Sequence, residues 1–99
     1  MTHYINTTFF IETSLRHDFM SWAREYIALM PLDMGCEFCE ITSPTQDGVE
    51  SFAIRISGSD LSALEEWHGG AGENKRAELR KTFGERALDF SSVMKEVSL

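Results

Sequence analysis

Apolar and polar residues alternate from His3 to Ile11. His3, Ile5, Thr7, Phe9 and Ile11 share one face, and Tyr4, Asn6, Thr8 and Phe10 share the other. A period of two in β-branched and aromatic residues predicts a strand. Because Phe9 and Phe10 point to opposite sides, both faces of its sheet carry apolar side chains. The period then lengthens. Thr13-Ser14 offers a helix N-cap, and Leu15, Phe19, Trp22, Ala23, Tyr26, Ile27 and Met30 recur at helical spacing. This predicts an amphipathic helix of about four turns, ended by Pro31.

A second strand is expected from about Gly35 to Thr42, and "SPTQDG" (Ser43–Gly48) reads as a hairpin turn. A third strand, Val49–Ser57, places Phe52, Ile54 and Ile56 opposite Ser51, Ala53 and Arg55. Gly58–Trp67 then reads as a capped helix start with Leu61, Leu64 and Trp67 as its stripe. "HGGAG" (His68–Gly72) follows. Each glycine costs about 1 kcal/mol in a helix interior relative to Ala, so a break or kink is predicted there. A further helical segment runs from Glu73 to Phe83, with apolar positions Ala77, Leu79 and Phe83, and Gly84 is placed to stop it. The last strand is expected over Ala87–Val97, with Leu88, Phe90, Ser92 and Met94 alternating against Asp89, Ser91, Val93 and Lys95.

The order β-α-β-β-α-β predicts an α+β, ferredoxin-like sandwich: a four-stranded antiparallel sheet with its helices on one face. Residues 1–99 are expected to form one such domain. Helices cover one face only, and an exposed apolar sheet face marks an interaction surface. The simplest partner is a second copy, sheet against sheet about a two-fold axis, which would make a homodimer.

Charge narrows the partners. Nine Lys and Arg against 16 Asp and Glu give a net charge of −7. Such a surface repels nucleic-acid backbones and anionic lipid, so neither nucleic acid nor membrane is expected as a partner. The one basic cluster, "ENKRAELRK" (Glu73–Lys81), is interleaved with acids and reads as a solvated helix face with acid–base pairs one turn apart. The N-terminal stretch lacks the pattern of a secretion signal, so a cytoplasmic location is expected.

Candidate chemistry is sparse. Cys36-Glu37-Phe38-Cys39 is a C-x-x-C, but it falls in a predicted strand. Residues three apart in a strand point to opposite faces and lie roughly 10 Å apart by the strand rise, too far for a disulfide or one shared zinc. They read as two small, half-buried side chains. His3, His17 and His68 fall on different elements, in no metal-binding spacing. No metal or cofactor is therefore expected.

His68 stands out, because it follows Trp67 and precedes the glycines, at a break where free backbone N–H donors would let a small anionic or aromatic ligand dock. The alternative is a helix C-terminal histidine favoured by the dipole. Trp22, Tyr26 and Trp67 read as packing residues whose polar ends need partners, and ferredoxin-like dimers can open a pocket between sheet and helices. Asn6 and Arg55 are polar in mid-strand. A buried Arg55 would need a carboxylate from a side chain or ligand. These six residues, Asn6, Trp22, Tyr26, Arg55, Trp67 and His68, are the candidate ligand-binding set, and no residue is singled out as catalytic. The glycine cluster lacks the phosphate-loop pattern, and no serine has a nucleophile-elbow context.

Three stretches carry a family resemblance: the opening "HYINTTFFIE", the helix "FMSWAREYI" and the ending "LRKTFGERALDFSSVMKEV". Together they resemble a bacterial family known only as domain of unknown function 4286. Two features depart from its pattern: the glycine-rich "HGGAG", and Ser91-Ser92 where a more basic segment is expected. The resemblance implies a ferredoxin-like chain that pairs into a dimeric α/β barrel, and it implies no established reaction. Two functions follow as expectations. The first is a homodimeric module for small-molecule binding or protein interaction without catalysis. The alternative is a cofactor-independent, monooxygenase-like enzyme acting on a small aromatic or polyketide-like substrate in a pocket near Trp22, Arg55 and His68.

Overall fold

The computed structural model describes residues 1–99. Strand β1 is His3–Glu12, helix α1 Arg16–Ala28, strand β2 Gly35–Gln46 and strand β3 Val49–Gly58. Helix α2 (Leu61–Trp67) runs through a π-helical turn at His68–Gly72 into α3 (Glu73–Phe83), and β4 is Ala87–Lys95. The strands form one sheet in the order β2-β3-β1-β4, every neighbouring pair antiparallel. This is the expected ferredoxin-like α+β plan.

Register fixes what each face carries. Ile5 pairs with Ile56, Thr7 with Ile54 and Phe9 with Phe52. These residues meet the helices and are buried, with Ile11 beside them. Phe9 is the hub: its ring lies 5.2 Å from Phe19, 5.4 Å from Trp22 and 6.4 Å from Tyr26. Leu64, Trp67 and Leu79 close the core from α2 and α3. Fully burying a large apolar side chain contributes ~1.5–3 kcal/mol, so this cluster is the main source of stability.

Four local readings change. Thr13-Ser14 does not cap α1; the chain enters through a 3₁₀ turn, and the Ser14 hydroxyl donates to Glu12 instead. The hairpin turn is tighter than "SPTQDG": β2 runs on to Gln46, and Asp47-Gly48 make the bend, with Gly48 at φ 80°. Pro44 is tolerated because the β2–β3 register shifts between Ile41 and Gln46, on an edge strand. The glycine cluster does not break the helix. Trp67, His68, Gly72 and Glu73 all keep right-handed helical backbone angles, and one wide turn absorbs the irregularity. Finally, Glu73–Lys81 is not wholly a solvated face, since Arg76 is 3% exposed. Gly84 does stop α3, at φ 56°.

Candidate functional site

The candidate residues divide between the two faces of the sheet. Trp22, Tyr26, Trp67 and His68 lie on the helix side. Asn6 and Arg55 pair with each other across β1 and β3, with side chains on the face away from the helices. One pocket uniting Trp22, Arg55 and His68 is therefore not formed, because the sheet stands between them.

On the helix side, both indoles are committed. Trp22 Nε1 donates to the Lys75 carbonyl and Trp67 Nε1 to the Leu29 carbonyl, each at 3.1 Å. The centre of this region is Arg76, which the sequence reading passed over. One guanidinium nitrogen donates to Tyr26 Oη at 2.8 Å and to His68 Nδ1 at 3.1 Å. The other donates to the His68 carbonyl at 2.7 Å and to Glu73 at 2.9 Å. Nε faces Asp89 at 4.0 Å. Arg80 grips the same two acids, Asp89 at 3.0 Å and Glu73 through a short contact. Arginine has no acceptor, so His68 Nδ1 must accept and the ring proton sits on Nε2.

The electrostatics agree. Burial, then the nearby Arg76 charge, lowers the His68 pKa to about 4. Burial raises the Tyr26 phenol against the opposing pull of Arg76. Burial disfavours the Glu73 carboxylate, but bonds to Arg80 and Arg76 outweigh it and hold the group below its ordinary value. The expected helix-terminal, dipole-favoured histidine is replaced by a neutral one inside a continuing helix. Both terminal nitrogens of Arg76 are bonded to protein acceptors and Nε lies 4.0 Å from Asp89, so the cluster ties α1, the π turn, α3 and β4 together.

The other face is open. Arg55 pairs with Glu37, its register partner on β2, and its guanidinium lies 5.0 Å from the Tyr4 ring centroid. The carboxylate that Arg55 needed is thus a side chain. Asn6, Glu37, Cys39, Ala53 and Arg55 line a shallow hollow of about 220 Å³. Towards β4 the face turns apolar. Phe10 stacks on Phe90 at 5.9 Å, and Phe10, Leu88, Phe90 and Met94 are 38, 53, 54 and 40% exposed. Cys36 and Cys39 are both free; Cys36 pairs with Ile56 on the helix side and Cys39 with Ala53 on the open side. Burial and then Glu37 raise the Cys36 thiol, the reverse of an activated thiolate. No three His, Cys, Asp or Glu side chains converge as metal ligands, and no helix is long and apolar enough to cross a membrane.

Known proteins share this architecture. Rv0793 from Mycobacterium tuberculosis superposes with a TM-score of 0.69 at 16% identity, over 100% of this chain and 98% of that one. SnoaB, a cofactor-independent oxygenase from Streptomyces nogalater, gives 0.63 at 14% identity, over 98% and 95%. A dimeric ferredoxin-like protein of unknown function from Thermobifida fusca gives 0.58 at 6% identity, over 94% and 92%. At these identities the likeness is one of fold. No curated protein matches the chain in sequence. The family model named Domain of unknown function (DUF4286) matches residues 1–97, and the chain belongs to that family.

Proposed function

We propose that this protein is a homodimeric interaction module that pairs through the helix-free face of its sheet and catalyses no reaction. The observation that carries this reading is the exposed strip Phe10, Leu88, Phe90 and Met94 on two hydrogen-bonded strands. Four strands ~4.8 Å apart and about ten residues long present roughly 600 Å² of face. Two such faces bury roughly 1,200 Å², within the range of specific interfaces. The Thermobifida fusca protein, described as dimeric, shares the fold.

The oxygenase reading draws support from the likeness to SnoaB. The interior favours the module instead. Phe9, Phe19, Trp22, Tyr26, Phe52 and Trp67 pack ring against ring between sheet and helices, where an enclosed substrate pocket would have to lie. The Arg76 guanidinium beside these rings is held by Tyr26, His68 and Glu73 through both of its terminal nitrogens.

Native mass spectrometry and sedimentation velocity test the proposal. The wild type is expected at twice the chain mass, and Phe90→Glu at the chain mass with an unchanged circular dichroism spectrum. A wild-type monomer, or a Phe90→Glu dimer of wild-type affinity, contradicts it.

A further inference from the structure

The helices are held on the sheet unevenly. Helix α1 buries Phe19, Trp22, Ala23 and Tyr26, whereas α3 buries Leu79 and the charged Arg76, with half-buried Phe83 at its end. On β4, beside α3, Ala87 alone is fully buried. Glycines flank α3 on both sides. A Cβ at Gly69 or Gly70 in the π turn would meet nothing within 4 Å, and Gly84 sits at φ 56°. Such glycines let the backbone reorient at little steric cost. With one fully buried apolar side chain, α3 relies on the Arg76 bonds to stay docked, and weakly packed segments open at lower free energy than a core.

Those bonds need a neutral His68. Arg76 donates to His68 Nδ1 at 3.1 Å and to the His68 carbonyl at 2.7 Å. A proton on Nδ1 removes the acceptor and sets two cations side by side. The surrounding groups do not compensate. Tyr26 on α1 and its neighbour Cys36 on β2 are raised by burial and stay neutral. Glu73 on α3 is held below its ordinary value and is shared by Arg76 and Arg80. Asp89 on β4 is occupied by Arg80 at 3.0 Å, with Arg76 Nε at 4.0 Å.

We infer that α3 is an acid-released strap: a proton taken up by His68 lets the π turn and α3 lift off β4 as a unit, while β1, β3 and α1 stay folded. Lifting uncovers the rings of Tyr26 and Trp67 and takes the Lys75 carbonyl from the Trp22 indole. The strap lies on the helix side of one protomer, so it does not depend on dimerisation.

Opening binds the proton, because the histidine titrates near 6.5 when released and about 4 when bonded. The opening constant therefore rises about 20-fold from pH 7 to pH 5. Amide hydrogen exchange followed by ¹⁵N NMR at pH 7, 6 and 5, corrected for the intrinsic pH dependence of exchange, measures it. The amides of residues 76–83 are expected to be less protected than those of Ile5–Ile11 at every pH. Their protection is expected to fall ~20-fold over the range in wild type, and less than about threefold in His68→Gln, whose side-chain oxygen still accepts from Arg76 without titrating. Gly69→Ala, which stiffens the hinge, is expected to raise α3 protection up to about fivefold and to keep the pH dependence. A wild-type or Gly69→Ala protection of α3 that changes less than about threefold with pH overturns the proposal. So does a fall that His68→Gln leaves intact, or equal protection of α3 and β1, since α3 would then open only with the whole fold.

Discussion

Two arginines show how differently the two sides of one sheet use the same side chain. Arg76, on the helix side, has a side chain 4% exposed and is held by Tyr26, His68 and Glu73. Arg55, on the open side, is 42% exposed and held by Glu37 alone, lying against the Tyr4 ring. The first organises the fold. The second decorates a surface that water or a partner can reach. Burial, more than residue type, sets what a charge does: a buried ion left without its partners is expensive, whereas an exposed pair is nearly balanced by hydration.

The largest test of this contrast is Arg76→Leu. It leaves Tyr26 Oη, His68 Nδ1 and the His68 carbonyl without their Arg76 donor, so unfolding free energy should fall by about 3–5 kcal/mol. Chemical denaturation measures it, and a loss no greater than that of a surface substitution would refute the structural role of Arg76.

The glycines offer a change of sign within one turn. A Cβ on Gly72 would meet Arg76 and Trp67 at 3.0 Å, whereas one on Gly69 has no neighbour within 4 Å. Gly72→Ala should destabilise, with overpacking of roughly 1–3 kcal/mol outweighing the gain in helix propensity. Gly69→Ala should stabilise by up to about 1 kcal/mol. Thermal melts of the two variants would move in opposite directions, and a shared direction contradicts this packing.

The His68 effect is smaller and depends on pH. Its pKa is near 4 when folded and near 6.5 when free. Between those values the unfolded chain binds more protons, so stability is complete above pH ~6.5 and declines as pH falls towards 4. His68→Gln should flatten the slope between pH 6.5 and 5. The further loss below pH 4.5, where Glu73 protonates, should remain. A wild-type stability that is flat from pH 7 to 5 contradicts this.

The smallest effect is expected for Arg55→Gln. The melting temperature of the monomeric Phe90→Glu background should not move measurably, because Arg55 and its partner are both largely solvated. A large loss there would erase the contrast with Arg76.

How much of this was legible in the sequence follows from the same physics. The strands and α1 could be read because burial on one side imposes a clean period. Which face of β1 meets the helices could not, since Phe9 and Phe10 are equally apolar; only the register with Phe52 and Ser51 separates them. Arg76 was hidden by the π turn. Counted from Gly72, the fully buried positions are Gly72, Arg76 and Leu79, and half-buried Phe83 continues them at helical spacing. Ala77, chosen for being apolar, lies off that stripe and is exposed. A glycine and an arginine occupying apolar positions left little hydropathy signal. The grouping of Asn6 and Arg55 with Trp22 and His68 failed for a related reason. Residue type suggests a ligand, but only strand parity says which side of a sheet it would be on.

The most direct test of the central claim is an isotope-filtered NOE experiment on a half-labelled mixture of the protein. Intermolecular contacts are expected among the Leu88 and Met94 methyls and the Phe10 and Phe90 rings. Intermolecular contacts confined to Leu29 and Leu32 on the opposite side, or none at all at concentrations where the mass is dimeric, would contradict it.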